Sequence, residues 1–328
     1  MNKYWNSEVN ALPDKAQKPN IVKSSRLFGD YLIMLIAPAL LAFFYYGERS
    51  LAVLGVSIGT AFFCDVLASL LLKKPFYLKD LSGIYAASAI ALMMPAGIPL
   101  YIPAFASAFA VLAVKTPFGS SRTPFSPAAA GFAFAALCFK EEIFIYTENT
   151  ASKLMGSNSV GSILLSGNAI HLDAVNVIDL IGGNVAGPMG TGCILLMLGC
   201  CAYLFVRRKR ALLATAGFVA ACAVFAAVLP RVNASAVTSV VLELSAGSLM
   251  FAGVFLVTEP STLPKKSINR IVYGAVCGIA CMGMRYIGVF EEPVCFAVLL
   301  ANGFRPVIDS LLKRIPDKKR LPQERGLR

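Results

Sequence analysis

Charged side chains are scarce in this chain of 328 residues: they make up 15% of it, against about a quarter in ordinary soluble domains. The sequence has no Walker loop and no GxGxxG stretch, so it carries no dehydrogenase nucleotide site of its own. Histidine occurs once, as His171, and a solvated loop residue is a better reading than a metal ligand. The sparse charge and missing motifs together exclude an autonomous soluble dehydrogenase.

The sequence also lacks cysteine pairs at the spacing that is typical of iron–sulfur cluster ligands. The nine cysteines include no CxxC, and all nine fall inside apolar segments rather than loops. We therefore expect neither disulfides nor an iron–sulfur cluster held by this chain alone.

Long apolar runs are abundant, and they predict an all-α polytopic membrane protein. Ten membrane helices are predicted, and several of them are shorter than the roughly 20 residues that a straight crossing needs. Their approximate bounds are 29–46, 51–72, 81–95, 100–115, 127–145, 191–206, 211–229, 243–258, 270–288 and 293–312. Short or proline-broken membrane helices are typical of the neighbourhood of a binding site.

The basic residues predict the orientation. With the N-terminus on the cytoplasmic side, 25 of the 30 lysines and arginines fall in cytoplasmic segments. Such an asymmetry predicts cytoplasmic termini at both ends. It also accounts for the net charge of +12 without a nucleic-acid partner, leaving the lipid bilayer as the surroundings. The predicted parts are an N-terminal tail (1–28), a first five-helix repeat (29–145), an extracytoplasmic loop (146–190), a second repeat (191–312) and a basic tail (313–328).

Two pairs of segments suggest an internal repeat. "DLSGIYAASAIALMMP" (80–95) is similar to "LELSAGSLMFAGVFLVTEP" (242–260), and "TPFSPAAAGFAFAAL" (123–137) is similar to "EEPVCFAVLLANGF" (291–304). The period is five spans, and an odd period places the two copies in opposite orientations. The prediction is two inverted five-helix repeats, with a site at their interface near the middle of the membrane.

Acids inside apolar segments are candidates for function because burying a carboxylate in hydrocarbon is costly. Asp65, in "TAFFCDVLASLL", is a candidate for an ion path, with a structural polar contact as the alternative. Glu259, in "LVTEPSTLP", is a second candidate, with an ordinary helix end as the alternative. The glycine-rich "DLIGGNVAGPMGTGC" (179–193) predicts either a close-packed turn or a ligand cradle.

Five motifs together resemble the RnfD/NqrB family, the membrane subunits of Rnf and sodium-pumping NADH:quinone oxidoreductase complexes. The resemblance covers about residues 28–315. The motifs are "SGIYAASAIALMMPAGIP" (82–99), "KTPFGSSRTPFSPAAAGFAF" (115–134), "LIGGNVAGPMGTG" (180–192), "AGVFLVTEPSTLP" (252–264) and "FAVLLANGFRPVID" (296–309). In the fourth motif, Glu259 stands where the family has Asp.

The resemblance implies a fold similar to urea and ammonium channels. It also implies an integral subunit of a bacterial cytoplasmic-membrane complex that passes electrons through flavin and couples this to sodium or proton movement. The implied cofactor is FMN, or riboflavin. The implied partners are an extracytoplasmic flavoprotein and a cytoplasmic iron–sulfur or dehydrogenase subunit. From charge and position, Lys115, Arg122, Thr123 and Asn184 are candidates for contact with the flavin.

The family's covalent FMN is joined to a threonine in an S/T-G-A-T motif, and this motif is missing here. The nearest stretch is "NTAS", which would put Ser152 at the acceptor position without the preceding glycine. Ser152 is therefore a candidate for covalent FMN, and a plain polar loop is the alternative. The missing motif also keeps open a flavin-free solute or ion channel, or a structural assembly subunit with the same fold.

Overall fold

The computed structural model describes residues 14–73, 80–119, 123–146, 182–183, 187–230, 236–288 and 292–312. Within these ranges the regular structure is helical. The helices are α1 (Asp14–Tyr46), α2 (Glu48–Leu71), α3 (Ser82–Leu92), α4 (Tyr101–Phe109), α5 (Pro127–Cys138), α6 (Ile194–Arg207), α7 (Lys209–Val228), α8 (Ala236–Ser245), α9 (Leu249–Val254), α10 (Ser267–Ile287) and α11 (Val294–Leu311). A π-helical segment, Ala110–Lys115, and a helical turn, Thr116–Phe118, continue α4.

Six of the described helical stretches are long and apolar enough to cross a bilayer. They are Ser25–Tyr46, Glu48–Leu71, Tyr101–Phe118, Lys209–Val228, Ser267–Ile287 and Val294–Leu311. Large apolar side chains such as Phe44, Leu70 and Ile287 stand exposed on them, as a lipid-facing surface requires. The predicted multi-pass helical membrane protein is thereby confirmed.

Two short helices lie inside the protein, and each is too short to cross a bilayer by itself. Helix α3 has 11 residues and only Ile84 among them is not buried; at 1.5 Å per residue it covers about half of a ~30 Å hydrocarbon layer. All six residues of α9 are buried. The Tyr85 hydroxyl of α3 donates to the carbonyl of Phe255, the residue directly after α9, at 2.8 Å.

The span predicted over 243–258 is interrupted in the structure. Helix α8 ends at Ser245 and α9 begins at Leu249. Gly247 lies between them with a φ of 61°, a left-handed conformation that continues no helix and favours glycine. The structure therefore has two helices here where the apolar pattern predicts one.

Other predicted bounds are shifted. The span predicted over 127–145 ends as a helix at Cys138, and a separate turn covers Lys140–Ile143. The span predicted over 100–115 continues through π-helical and helical turns to Phe118. The division of the chain into five parts stays a prediction, because most of the proposed loop and the C-terminal tail fall outside the described residues.

Helices α7 and α10 pack with their backbones almost in contact. A Cβ atom at Gly217 would overlap the carbonyl oxygen of Ile271, and one at Gly274 would overlap that of Ala214. At Gly278 the nearest atom would be the Phe218 carbonyl oxygen, at 2.7 Å. Small residues stabilise membrane helix pairs in this way, because they allow close van der Waals contact where the hydrophobic effect supplies little.

The glycine-rich segment before α6 closes the end of α3. The backbone N–H of Met189 donates to the carbonyl of Met94 at 3.0 Å, and that of Gly190 donates to the carbonyl of Leu92 at 2.9 Å. A Cβ at Gly190 would lie 2.6 Å from the Leu92 side chain. Of the two interpretations of this motif, the structure supports a close-packed turn at Gly190.

Candidate functional site

A partly buried ion-pair cluster lies beside the start of α3, and we call it the first charge cluster: Asp65, Asp80 and Lys115. Lys115 Nζ lies 2.7 Å from Asp65 Oδ2 and 3.1 Å from Asp80 Oδ2. The three side chains are 17%, 18% and 8% exposed, in the order of their numbers. One lysine thus faces two carboxylates in a setting that water still reaches.

Local structure brings these three side chains together. Asp80 Oδ1 accepts from the backbone N–H of Ser82 at 3.2 Å and from its hydroxyl at 2.7 Å, so Asp80 satisfies the first backbone N–H of α3. Lys115 ends the π-helical segment, a distortion often found at functional sites. Gly83 leaves the room that the cluster needs, since a Cβ there would overlap Asp65 Oδ2 and lie 3.0 Å from Lys115 Nζ.

Glu259 is the centre of a second polar site, at the end of the chain segment that follows α9. It is 1% exposed. The hydroxyl of Ser126 donates to its Oε2, and that of Ser261 donates to its Oε1 at 2.7 Å. Ser126 is also the N-cap of α5, accepting from Ala129 N at 3.2 Å. Among the described residues no basic side chain pairs with Glu259, so serine hydroxyls are its polar partners.

Two polar groups on chain segments linked to this site lack a hydrogen-bond partner among the described residues. They are the Thr123 hydroxyl and the Asn302 side-chain N–H₂, in residues that are only 2% and 3% exposed. Thr123 lies three residues before Ser126. Asn302 accepts from the Tyr273 hydroxyl at 2.6 Å, and Tyr273 neighbours Thr262 in the Glu259 loop. Unpartnered buried donors of this kind are costly unless a ligand satisfies them.

A second charge cluster, Glu243, Arg285 and Glu292, lies at the break between α8 and α9. Arg285 Nη1 lies 3.2 Å from Glu243 Oε2, and both side chains are 1% exposed. Glu292, also 1% exposed, accepts from the backbone N–H of Ser248. Charges this deeply buried persist only when they are paired and hydrogen-bonded.

The sequence-predicted residues are distributed over these sites as follows. Asp65 and Lys115, predicted for an ion path and for flavin, are partners in one cluster. Glu259 is the centre of the second polar site, and Thr123 lies three residues before its partner Ser126. Arg122, Ser152 and Asn184 lie outside the described residues, so their predicted roles stay predictions.

Sequence reasoning misses several residues of these sites. Ser126 and Asn302 lie inside the quoted motifs, yet nothing in their residue type predicts that Ser126 bonds to Glu259 or that Asn302 bonds to Tyr273. The charge pattern places Arg285 only among the few basic residues on the outer side. Arg285 lies near the end of an apolar helix, and acids stand at 243 and 292. This pattern could have predicted the second charge cluster.

The fold and these buried charges define an integral membrane protein with several membrane-crossing helices. The sequence profile of the NQR2, RnfD, RnfE family matches residues 16–316. The chain belongs to this family, as its motifs predict.

Individual relatives agree with this assignment. The D subunit of the ion-translocating oxidoreductase complex of Ectopseudomonas mendocina is 26% identical over 322 residues, covering 91% of this chain and 94% of the relative. The D subunit of the Na(+)-translocating ferredoxin:NAD(+) oxidoreductase complex of Acetobacterium woodii is 23% identical over 286 residues, covering 86% and 87%. The D subunit of the ion-translocating oxidoreductase complex of Halorhodospira halophila is 32% identical over a shorter stretch of 140 residues, covering 42% and 39%.

Proposed function

We propose that this protein is the D subunit of an Rnf-type ion-translocating oxidoreductase complex in a bacterial cytoplasmic membrane. Family membership and the names of the relatives support this proposal. The observation in the structure that carries it is the buried polar site around Glu259. Two hydrogen-bonding groups on segments linked to it through Ser126 and Tyr273, the Thr123 hydroxyl and the Asn302 amide, have no partner among the described residues. Such groups fit a site built for a bound molecule rather than for packing alone.

The bound molecule we propose is a flavin, FMN or riboflavin. A flavin ring system carries carbonyl and ring-nitrogen groups, which fit the hydroxyl of Thr123 and the amide donors of Asn302. A bound flavin supplies one- and two-electron transfer. The chain's own residues would orient it, exclude water from it and set the charge near it through Glu259.

Among the other flavin candidates, Lys115 has two carboxylate partners in the structure. To meet a flavin phosphate it would have to leave Asp65 and Asp80, so we assign it to the charge cluster. We also propose that Ser152 carries no covalent FMN, since it lacks the family's glycine-containing motif. Arg122 and Asn184 stay candidates for flavin contact.

The ion path we propose uses Asp65 and Glu259. Asp65 belongs to a cluster with one more carboxylate than cations and with access to water. Glu259 is a buried carboxylate whose polar partners are uncharged hydroxyls. Either arrangement suits sodium or a proton, since both cations neutralise a surplus carboxylate.

We further propose ten membrane spans arranged as two inverted five-helix repeats, with both termini cytoplasmic. The two charge clusters support the repeat. In the aligned segments "DLSG" and "ELSAG", Asp80 corresponds to Glu243. Asp80 pairs with Lys115 and Glu243 pairs with Arg285, and each basic residue lies towards the end of the fourth span of its repeat, directly before the last span.

The partners we propose are the other members of the complex, including an extracytoplasmic flavoprotein and a cytoplasmic iron–sulfur or dehydrogenase subunit. They are required because the chain has no nucleotide motif and cannot oxidise a nicotinamide cofactor alone.

Flavin content of the purified complex tests the proposal. We expect acid-extractable flavin in the wild type, no flavin fluorescence on a denaturing gel at the band of this protein, and an unmodified Ser152 peptide by mass spectrometry. Thr123→Val and Asn302→Leu should each lower the extractable flavin to about a tenth of wild type, with the complex still assembled. Each substitution removes a hydrogen bond between uncharged groups, which is worth up to ~1.5 kcal/mol.

Thr60→Val is the matched control, because among the described residues Thr60 bonds only within its own helix, to Val56 O at 2.8 Å. It should leave the flavin content unchanged. Unchanged flavin in both site variants would reject the proposed flavin site. A complete lack of flavin, with solute flux in liposomes, would favour the channel alternative.

A further inference from the structure

The break between α8 and α9 creates two helix ends inside the protein. Ala246, Gly247 and Ser248 separate Ser245 from Leu249. The end of a helix leaves carbonyl oxygens without intrahelical donors, and the start of the next leaves N–H groups without acceptors. Water solvates such groups at a surface, but it does not in a buried membrane segment, so protein groups must satisfy them.

Arg285 satisfies the end of α8. Its Nη1 donates to the carbonyl of Glu243 at 2.9 Å, and its Nη2 donates to the carbonyl of Ala246 at 3.0 Å. The Nη1 atom also pairs with the Glu243 carboxylate. A cation is the favourable charge at a helix C-terminus, where the helix dipole is negative. Arg285 comes from the last turns of α10, so it ties α10 to the break.

Glu292 satisfies the start of α9. Both of its carboxylate oxygens lie 3.0 Å from the backbone N of Ser248, and the Ser248 hydroxyl donates to Oε2. An anion is the favourable charge at a helix N-terminus. The carboxylate occupies the space beside Gly247, where a Cβ atom would overlap Glu292 Oε1. A cation and an anion from outside the broken segment thus stabilise its two inner ends.

The other end of the α9 segment reaches the proposed functional site. From Ser248 the chain runs through α9 and the turns after it to Glu259, 11 residues further on. Every residue from Leu249 to Glu259 is buried. This segment is therefore fixed at its start by Glu292 and at its far end by the bond between Glu259 and Ser126. Because packed interiors transmit small shifts, a change at its start moves Glu259.

We propose that Arg285 and Glu292 are positioning residues: they stabilise the helix break and thereby set the position of Glu259 against Ser126. The claim about Glu259's role rests on the proposed function, whereas the claim about the break does not. The two claims therefore take separate measurements.

Hydrogen–deuterium exchange in the purified complex tests the claim about the break. In Glu292→Ala, peptides covering 249–259 should exchange at least about tenfold faster, while peptides of α7 and α10 keep wild-type rates. In Glu292→Gln the exchange rate of 249–259 should lie between those of wild type and Glu292→Ala. The glutamine amide oxygen still accepts from Ser248 but carries no charge. Glu48→Gln, which removes an exposed acid at the start of α2, is the matched control and should change nothing.

If Glu292→Ala does not fold, the exchange rate of 249–259 in Glu292→Gln tests the claim instead. Exchange in 249–259 that equals wild type in a folded variant would overturn the proposal. An increase of equal size in α7 and α10 would also overturn it, because that result indicates general destabilisation.

A double-mutant cycle tests the claim about Glu259. Turnover of ion-coupled electron transfer is measured for Glu292→Gln, Ser126→Ala and the double variant. Sites this far apart normally act independently. We expect the double variant to retain at least about threefold more activity than the product of the two single effects predicts. Multiplicative effects would reject the positioning role, whereas a wild-type complex without turnover would reject the proposed function and leave the exchange result standing.

Discussion

The two charge clusters have the same composition and different surroundings. Each has one basic side chain and two carboxylates, close to the start of a short buried helix. Lys115 and its partners are 8–18% exposed, whereas Arg285 and Glu243 are 1% exposed. An ion pair that water reaches can exchange partners at small cost, but a sealed pair cannot lose a member without leaving a buried charge. The first cluster therefore suits ion exchange, and the second suits a fixed structural task.

Among the substitutions in the two clusters, removal of Arg285 should lower the free energy of unfolding most. Arg285→Met leaves the Glu243 carboxylate and the α8 carbonyls unsatisfied, and we expect about 3–5 kcal/mol of destabilisation. Thermal unfolding in detergent measures it. Combining Arg285→Met with Glu243→Met should recover part of the loss, because the unpaired carboxylate is gone. A double variant less stable than Arg285→Met would contradict this account.

Alanine in place of the glycine beside each cluster should also destabilise the protein more at the second cluster than at the first. Gly247→Ala combines overlap with a sealed carboxylate and a φ of 61°, so we expect about 2–3 kcal/mol of destabilisation. Gly83→Ala meets the end of a partly exposed Asp65 side chain that can move, and about 1 kcal/mol is expected. The unfolding midpoints of the two alanine variants show which is less stable. Equal shifts would show that the different exposure of the two neighbouring carboxylates has no effect on stability.

Lys115→Met should have a smaller and salt-dependent effect. In low salt we expect about 1–2 kcal/mol of destabilisation, because two carboxylates lose their cation in a setting that water reaches. At ionic strengths on the order of 1 M the Debye length falls to about 3 Å, so the penalty should shrink. The Arg285→Met penalty should stay constant over the same range. Unfolding scans at several salt concentrations test both statements, and an equal salt response of the two variants would refute them.

The ion pairs of Asp30 have the most exposed cations of the series and provide its lower limit. Asp30 accepts from Arg207 at 3.0 Å and from Arg208 at 2.7 Å; the Arg207, Arg208 and Asp30 side chains are 58%, 24% and 13% exposed. Asp30→Asn should cost no more than about 1 kcal/mol, since water can solvate both arginines once the carboxylate is gone. A loss comparable to that of Arg285→Met would mean that exposure does not rank these pairs.

Much of the helical framework could be predicted from the sequence, because the apolar runs are long and only the bilayer accommodates them. The interruption at 246–248 could not. Its backbone groups are satisfied by Arg285 and Glu292, which follow about 40 residues later, and no local pattern reveals such partners.

The site was predictable to a similar degree. Asp65 and Glu259 stand out as acids in apolar surroundings. That Lys115 meets Asp65 depends on how α2, α3 and the π-helical segment pack, and that Ser126 meets Glu259 depends on two distant segments of the chain. Residue type and spacing do not contain this information.

The contact between Met189, Gly190 and the end of α3 has a consequence for biogenesis. Translation delivers residues 82–94 to the insertion machinery long before residues 189 and 190 exist. Until then the carbonyls of Leu92 and Met94 lack the donors that they have in the finished protein. A nascent chain arrested before residue 189 should therefore keep α3 hydrated, and the first five helices should mature only when the second half begins to arrive.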